Sequence, residues 1–268
     1  MMEDSRRRFL KIAGIAALGM GTAPVIDAVA ASGGHGAAPH MRKGDDALTA
    51  KQWGLVIDTT KLDHEKVEHI IEACHSTHNV PNISAAKVGQ KVATRHEIKW
   101  IWETHYHNAF TDLRPQYLSE DVEERPFLVL CNHCEEPPCV QACPTQATFK
   151  RPDGIVLMDF HRCIGCRFCM AACPYGSRSF NLRDPRPFIE KTNLAFPTRT
   201  KGVVEKCNFC AERLAVGQPP ACVEASEGAM VFGDLEDPHS EIREVLREHY
   251  TIRRKVSLGT GPAVYYII

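Results

Sequence analysis

A chain of 268 residues with formal net charge −1 and 44% hydrophobic residues has room for one or two domains around a true core. That charge balance excludes a nucleic-acid-binding surface, and the short basic stretches read as solvated faces. The compositional outlier is cysteine, with twelve in the chain.

Residues 1–30 carry the pattern of a twin-arginine export signal. Arg6 and Arg7 lie in Ser5-Arg6-Arg7-Arg8-Phe9-Leu10-Lys11, a modestly apolar stretch runs from Ile12 to Ile26, and Ala28-Val29-Ala30 offers a small-residue cleavage site. Gly14, Gly19, Gly21 and Pro24 make that stretch a poor membrane helix. The twin-arginine route exports proteins already folded around their cofactors, so it predicts a periplasmic or extracytoplasmic location. No later segment approaches the ~20 apolar residues of a bilayer span, so a tie to the membrane is expected through a partner. Residues 31–50, rich in Gly, Ala and Pro, read as a flexible lead-in.

Gly54 to Asp58 reads as a short strand. Asp63 then caps a helix running to about His75, with Val67, Ile70, Ile71 and Cys74 on one face. The histidines at 75, 78, 105, 107 and 133 read as polar surface groups or supports for ligands rather than ligands.

Two cysteine runs follow, each ending in Cys-Pro. The first holds Cys131, Cys134, Cys139 and Cys143, and the second Cys163, Cys166, Cys169 and Cys173. The second matches C-x2-C-x2-C-x3-C-P residue for residue, and the first has two extra residues before its third cysteine. In that arrangement three close thiolates hold one 4Fe–4S cube and the fourth reaches to the neighbouring cube. One cube would then take Cys131, Cys134, Cys139 and Cys173, and the other Cys163, Cys166, Cys169 and Cys143. Asn132, His133 and Arg167 stand close enough in sequence to tune them. Residues 146–149 and 154–158 predict a hairpin between the runs, turned at Pro152-Asp153-Gly154.

Cys207-Asn-Phe-Cys210 and Pro219-Pro220-Ala-Cys222 repeat the first run with a longer loop, and strands at 202–206 and 230–232 are expected to frame this group in the same way as the central hairpin. Ser226 stands where the fourth ligand would be. Counting back from Cys74 in the same frame gives His64, Val67 and Ile70, so there only the outgoing ligand survives. Ligand exchange accounts for both losses: one cube is deleted whole, and Cys74 joins Cys207, Cys210 and Cys222 around another. Twelve cysteines thus make three 4Fe–4S clusters, and no residue looks catalytic. Zinc or disulfides in an exported binding protein are the alternative use of these cysteines. Glu241 to His249 predicts a helix behind Ser240, and 263–268 a docked strand or a partner-binding edge.

The expected fold is α+β, two ferredoxin-like units with one inserted in the other. Residues 51–120 with 195–250 carry one cluster, 121–194 carry two, and 251–268 form a C-terminal tail. With these motifs the chain resembles the iron–sulfur subunits of dimethyl-sulfoxide-reductase and polysulfide-reductase type. Within that group it looks most like the exported ferredoxin-like subunits of the Dsr membrane complex of sulfur metabolism. The residues carrying this include Ala73-Cys74-His75, Glu97-Ile-Lys-Trp-Ile-Trp102, His161 to Met170, Val204 to Arg213, and Ile252 to Lys255. The resemblance implies an electron-transfer subunit without its own active site. Its partners would be a polytopic quinone-interacting membrane subunit (NrfD- or DsrP-like), a multihaem cytochrome c (DsrJ-like) and the other Dsr subunits. The alternative is the iron–sulfur subunit of a molybdopterin reductase, formate dehydrogenase or hydrogenase.

Overall fold

The computed structural model describes residues 44–83, 93, 96–113 and 115–268. The export signal with Arg6 and Arg7, and the lead-in up to residue 43, lie outside them. The six residues of β1 (Trp53–Asp58) are all buried, as their unbroken apolar run requires of a strand covered on both faces. Helix α1 (His64–Thr77) begins where the Asp63 carboxylate accepts a hydrogen bond from Lys66 N at 2.8 Å. Its Val67, Ile70 and Cys74 recur at helical spacing and are buried. The chain continues through β2 (Ile101–Thr104) and β3 (Phe127–Leu130) to α2 (Pro138–Gln141), β4 (Thr148–Lys150), β5 (Val156–Met158) and α3 (Phe168–Ala172). After β6 (Ser179–Phe180) and β7 (Val204–Glu205) come α4 (Ala211–Leu214), α5 (Ala221–Ala225), β8 (Met230–Asp234), α6 (Glu241–Glu248), β9 (Thr251–Ile252) and β10 (Val264–Ile267).

One four-stranded sheet runs in the order β8-β1-β10-β9, with β1 parallel to β10 and antiparallel to β8. Three antiparallel pairs, β2–β3, β4–β5 and β6–β7, accompany it. The β4–β5 hairpin is the one expected between the central runs. The strands framing the last cysteine group differ from expectation. Strand β7 pairs with β6 and β8 with β1, so they belong to different sheets. A strand leaving one cysteine group pairs more readily with the strand entering the next than with its own partner across a long loop.

The division at residues 121 and 194 is not a boundary in packing. Residues 44–268 form one compact unit. Leu55, Val67 and Phe209 share a single core cluster with Leu128, Leu130 and Ile155. Strand pairs β2–β3 and β6–β7 each cross one of the expected boundaries. The lead-in is also shorter than expected, since Leu48 N donates to Leu214 O at 2.9 Å. Residues 251–268 are an integral part of the sheet rather than a tail. β10 lies between β1 and β9, and Tyr266 is fully buried.

A buried ion pair holds distant segments together. Arg199 and Glu205 are both fully enclosed, and Arg199 also donates to the carbonyls of His78 and Asn79. Trp100 Nε1 and Asn181 Nδ2 donate to the Glu205 carboxylate at 2.8 and 2.5 Å. Both charges are thus paired and hydrogen-bonded, which is the condition for burying such a pair without a large penalty.

Candidate metal centres

The local backbone repeats itself at the first C-x-x-C of each cysteine group. The residue just before the second cysteine has positive φ in all three: 42° at His133, 69° at Gly165 and 53° at Phe209. A left-handed residue in a tight turn gathers backbone N–H groups into a concavity that suits anionic sulfur. In the last group Phe209 N donates to Cys207 Sγ at 3.5 Å, and Ala221 N to Cys210 Sγ at 3.4 Å. At Gly165 a side chain is also excluded by space, since a Cβ would lie 2.3 Å from Gly202 O.

The tertiary structure gathers the twelve thiols into three groups of four. Cys131, Cys134, Cys139 and Cys173 line one cavity, together with Tyr175 and Arg178. Cys143, Cys163, Cys166 and Cys169 line a second. Cys74 stands within electrostatic reach of Cys222, Cys207 and Cys210, where α1 packs on α5. The three groups stand in a row. Cys207 of the third group is close to Cys131 of the first, and Cys139 of the first is close to Cys169 of the second. All twelve cysteines are free thiols.

Burial dominates their chemistry. It pushes the Cys222 thiol up to about 11, and with Cys131 beside it pushes Cys134 up to about 12. Cys74 and Cys210 are raised well above the ordinary thiol range by burial and by the cysteines around them. Cys143 is less enclosed: against burial, hydrogen bonds from the Thr148 backbone and from Thr145 hold it below the usual value. A buried thiol of raised pKa becomes a thiolate when a cation takes the place of its proton. Four such sulfurs around one cavity are the donor set of a 4Fe–4S cube, and the residues present fit that group.

The positions expected to have lost a ligand are distributed as follows. Val67 and Ile70 are fully buried in the core, where they pack as aliphatic residues. Ser226 is buried too, with Oγ donating to Val223 O at 2.7 Å and accepting from Met230 N at 3.0 Å. His64 turns outward and pairs with Glu103 at 2.9 Å.

Two of the histidines at 75, 78, 105, 107 and 133 are buried rather than on the surface. His78 is buried, stacked on Trp100, with Nε2 2.8 Å from the Glu212 carboxylate, which lies beside Cys210. His133 is fully buried and stacked on Phe209 at 3.6 Å. Burial, with Lys206 and Arg178 nearby, holds its imidazole neutral, and its Nδ1 accepts from Val156 N at 3.1 Å. Arg167 is exposed over the Phe180 ring, and Asn132 is buried with Oδ1 unpartnered.

Four residues near the sulfurs were not singled out by the cysteine spacing. Thr260, 2.5 Å from the Tyr175 hydroxyl, also hydrogen-bonds Cys134. Lys206 and Arg178 are buried cations beside the cysteines. Only Lys206 had a clue, its place next to Cys207.

Comparisons with known proteins agree with this chemistry. Residues 126–235 match the family model of the 4Fe–4S dicluster domain. The Hdr-like menaquinol oxidoreductase iron–sulfur subunit 1 of Archaeoglobus fulgidus is 38% identical, over 98% of this chain and 97% of its own length. A tetrathionate reductase subunit of Salmonella typhimurium is 45% identical over 52% of this chain and 50% of its own. Protein NrfC of Escherichia coli is 42% identical over 57% of this chain and 62% of its own.

Proposed function

Since the chain belongs to the family of iron–sulfur electron-transfer subunits of membrane-associated oxidoreductase complexes, we propose that it carries three 4Fe–4S clusters and relays electrons at the outer face of a membrane. The first tetrad is Cys131, Cys134, Cys139 and Cys173. The second is Cys143, Cys163, Cys166 and Cys169, and the third is Cys74, Cys207, Cys210 and Cys222. When bound, each cube takes up and gives back a single electron. The chain supplies the thiolates, the N–H groups that bond to sulfur, and a dry environment. The observation that carries the reading is the meeting of Cys74 with three cysteines more than 130 positions later, which leaves no thiol outside a group of four. The order of the tetrads makes the first the middle station. The sharing of ligands between runs also supports an origin in two ferredoxin-like units, 51–120 with 195–250 and 121–194, now fused around one core.

The finer reading is a DsrO-like subunit. It is exported folded through the signal bearing Arg6 and Arg7, and it stands between a quinone-interacting membrane subunit and a multihaem cytochrome c in sulfur metabolism. Support comes from the motifs of the resemblance and from the near full-length match to a menaquinol oxidoreductase subunit. The half-length match to a tetrathionate reductase subunit favours a second reading, the iron–sulfur subunit of a molybdopterin reductase. Molybdenum in the purified complex would decide for it, and haem c without molybdenum against it.

The direct test is anaerobic purification of the complex with iron and sulfide analysis. Roughly twelve irons per chain are expected from three cubes of four. Cys74→Ser and Cys222→Ser should each abolish the same EPR signal. Loss of different centres in the two variants breaks the third tetrad.

A further inference from the structure

Lys206 and Arg178 are the two cations enclosed among the cysteine tetrads. Lys206 is 2% exposed and Arg178 5%. Lys206 Nζ donates to two carbonyl oxygens, those of Val156 and Cys207. Arg178 Nη1 donates to Thr148 Oγ1 at 3.1 Å and approaches Met158 Sδ at 3.6 Å, while its buried Nη2 has no partner. Among the described residues neither forms an ion pair with a carboxylate, whereas the deeply buried Arg199 has Glu205. A buried cation without an anion is costly unless neighbouring groups answer its charge, as the Ala109 carbonyl and the Tyr175 ring do for buried Arg254. Carbonyl dipoles answer part of that cost for Lys206. For the open edge of Arg178 the groups within reach are sulfurs.

Their positions are specific. Arg178 lines the cavity of the first tetrad, and Cys139 of that tetrad and Cys169 of the second both lie within its electrostatic reach. Lys206 adjoins Cys207 of the third tetrad and is anchored on Val156, which lines the first cavity. Each cation therefore occupies one of the two junctions in the row of three.

We propose that Lys206 and Arg178 are built-in counter-cations, one at each junction between neighbouring tetrads, that favour electron occupancy of the centres on either side. This rests on the cluster reading above. A thiolate-bound cube carries net negative charge and one unit more when reduced, and net charge is among the determinants of its potential. A fixed cation nearby lowers the free energy of the reduced form more than that of the oxidised form, and low local dielectric enlarges the difference. Placing one cation at each gap raises both flanking centres together. The first centre flanks both gaps and is raised by both cations, so it is the station whose reduced form they favour most. Both residues are positioning groups: they touch sulfur ligands or their carbonyls and exchange no electron themselves.

The test is a potentiometric titration of the anaerobically purified complex, with each centre followed by its own EPR signal. Arg178→Gln should shift the reduction equilibria of the first and second centres at least tenfold toward the oxidised form, about 59 mV for a one-electron couple. The third centre should move less than threefold. Lys206→Met should shift the first and third centres in the same way and spare the second. Arg178→Lys, which keeps the charge, should stay within threefold of the wild type. If one uncharged variant fails to load iron, the other junction decides alone. Iron-loaded variants with unmoved potentials, or with equal shifts at all three centres, overturn the proposal. A wild-type complex without iron would sink the cluster reading itself, which is a separate outcome.

Discussion

At the scale of single residues, the chain uses left-handed backbone where sulfur must be gathered and spends side chains on it sparingly. Gly165 is the clearest case, because both its φ of 69° and the nearby Gly202 carbonyl exclude a Cβ. Gly165→Ala is expected to cost at least the roughly 1–3 kcal/mol of a strained backbone position, and to weaken the centre at Cys163, Cys166, Cys169 and Cys143 in particular. Iron content and the EPR signal of that centre measure it. Full retention of both would mean the turn relaxes without harm. His133 and Phe209 adopt the same conformation without being glycine, and they stack on one another, so packing there compensates what the backbone lacks. The glycine position was legible in Cys163-Ile-Gly-Cys166, and the equivalent strain at His133 and Phe209 was not. A motif names the ligands but is silent about residues whose conformation neighbours impose.

Among the elements, α1 buries aliphatic residues at the positions where the repeat frame would put ligands. Its apolar period and its Asp63 cap can be read directly from sequence, because both are local. What lies opposite is α5, which brings Cys222 toward Cys74 from far along the chain. Ile70 of α1 is fully buried in the core. Ile70→Ala is expected to destabilise the protein by roughly 2–5 kcal/mol, the range for such truncations in a core, while all iron is retained. Thermal unfolding with iron analysis checks this, and loss of one cube's worth of iron would show that Ile70 supports a centre rather than filling the place of an absent one. The strands carry the opposite lesson. Residues 202–206 and 230–232 were recognisable as strands, but their partners were not, since period and propensity describe a strand's faces and leave its edges open.

For the whole molecule, the decisive feature is that the last residues complete the first strand. β10 joins β1 in parallel and Ala263 N donates to Asn132 O at 2.8 Å, which ties the C-terminus to the first cysteine run. Removal of 263–268 is expected to abolish a soluble, iron-loaded protein, because it strips one edge of β1, leaves β9 unpaired and releases the Cys131 segment together. Recovery of the truncated chain with its full iron content would refute that coupling. The Arg199–Glu205 pair acts at the same scale, joining the end of α1 to the segment that enters Cys207. By itself the sequence determined where the thiols stand, how they group by spacing and where α1 begins, because these follow from covalent geometry and local propensity. The tertiary structure alone decided the order of the three tetrads, the burial of Lys206, Arg178 and His133 among them, and the fusion of both halves around one core. Those depend on which distant surfaces exclude water from each other, and no local pattern of residues encodes that choice.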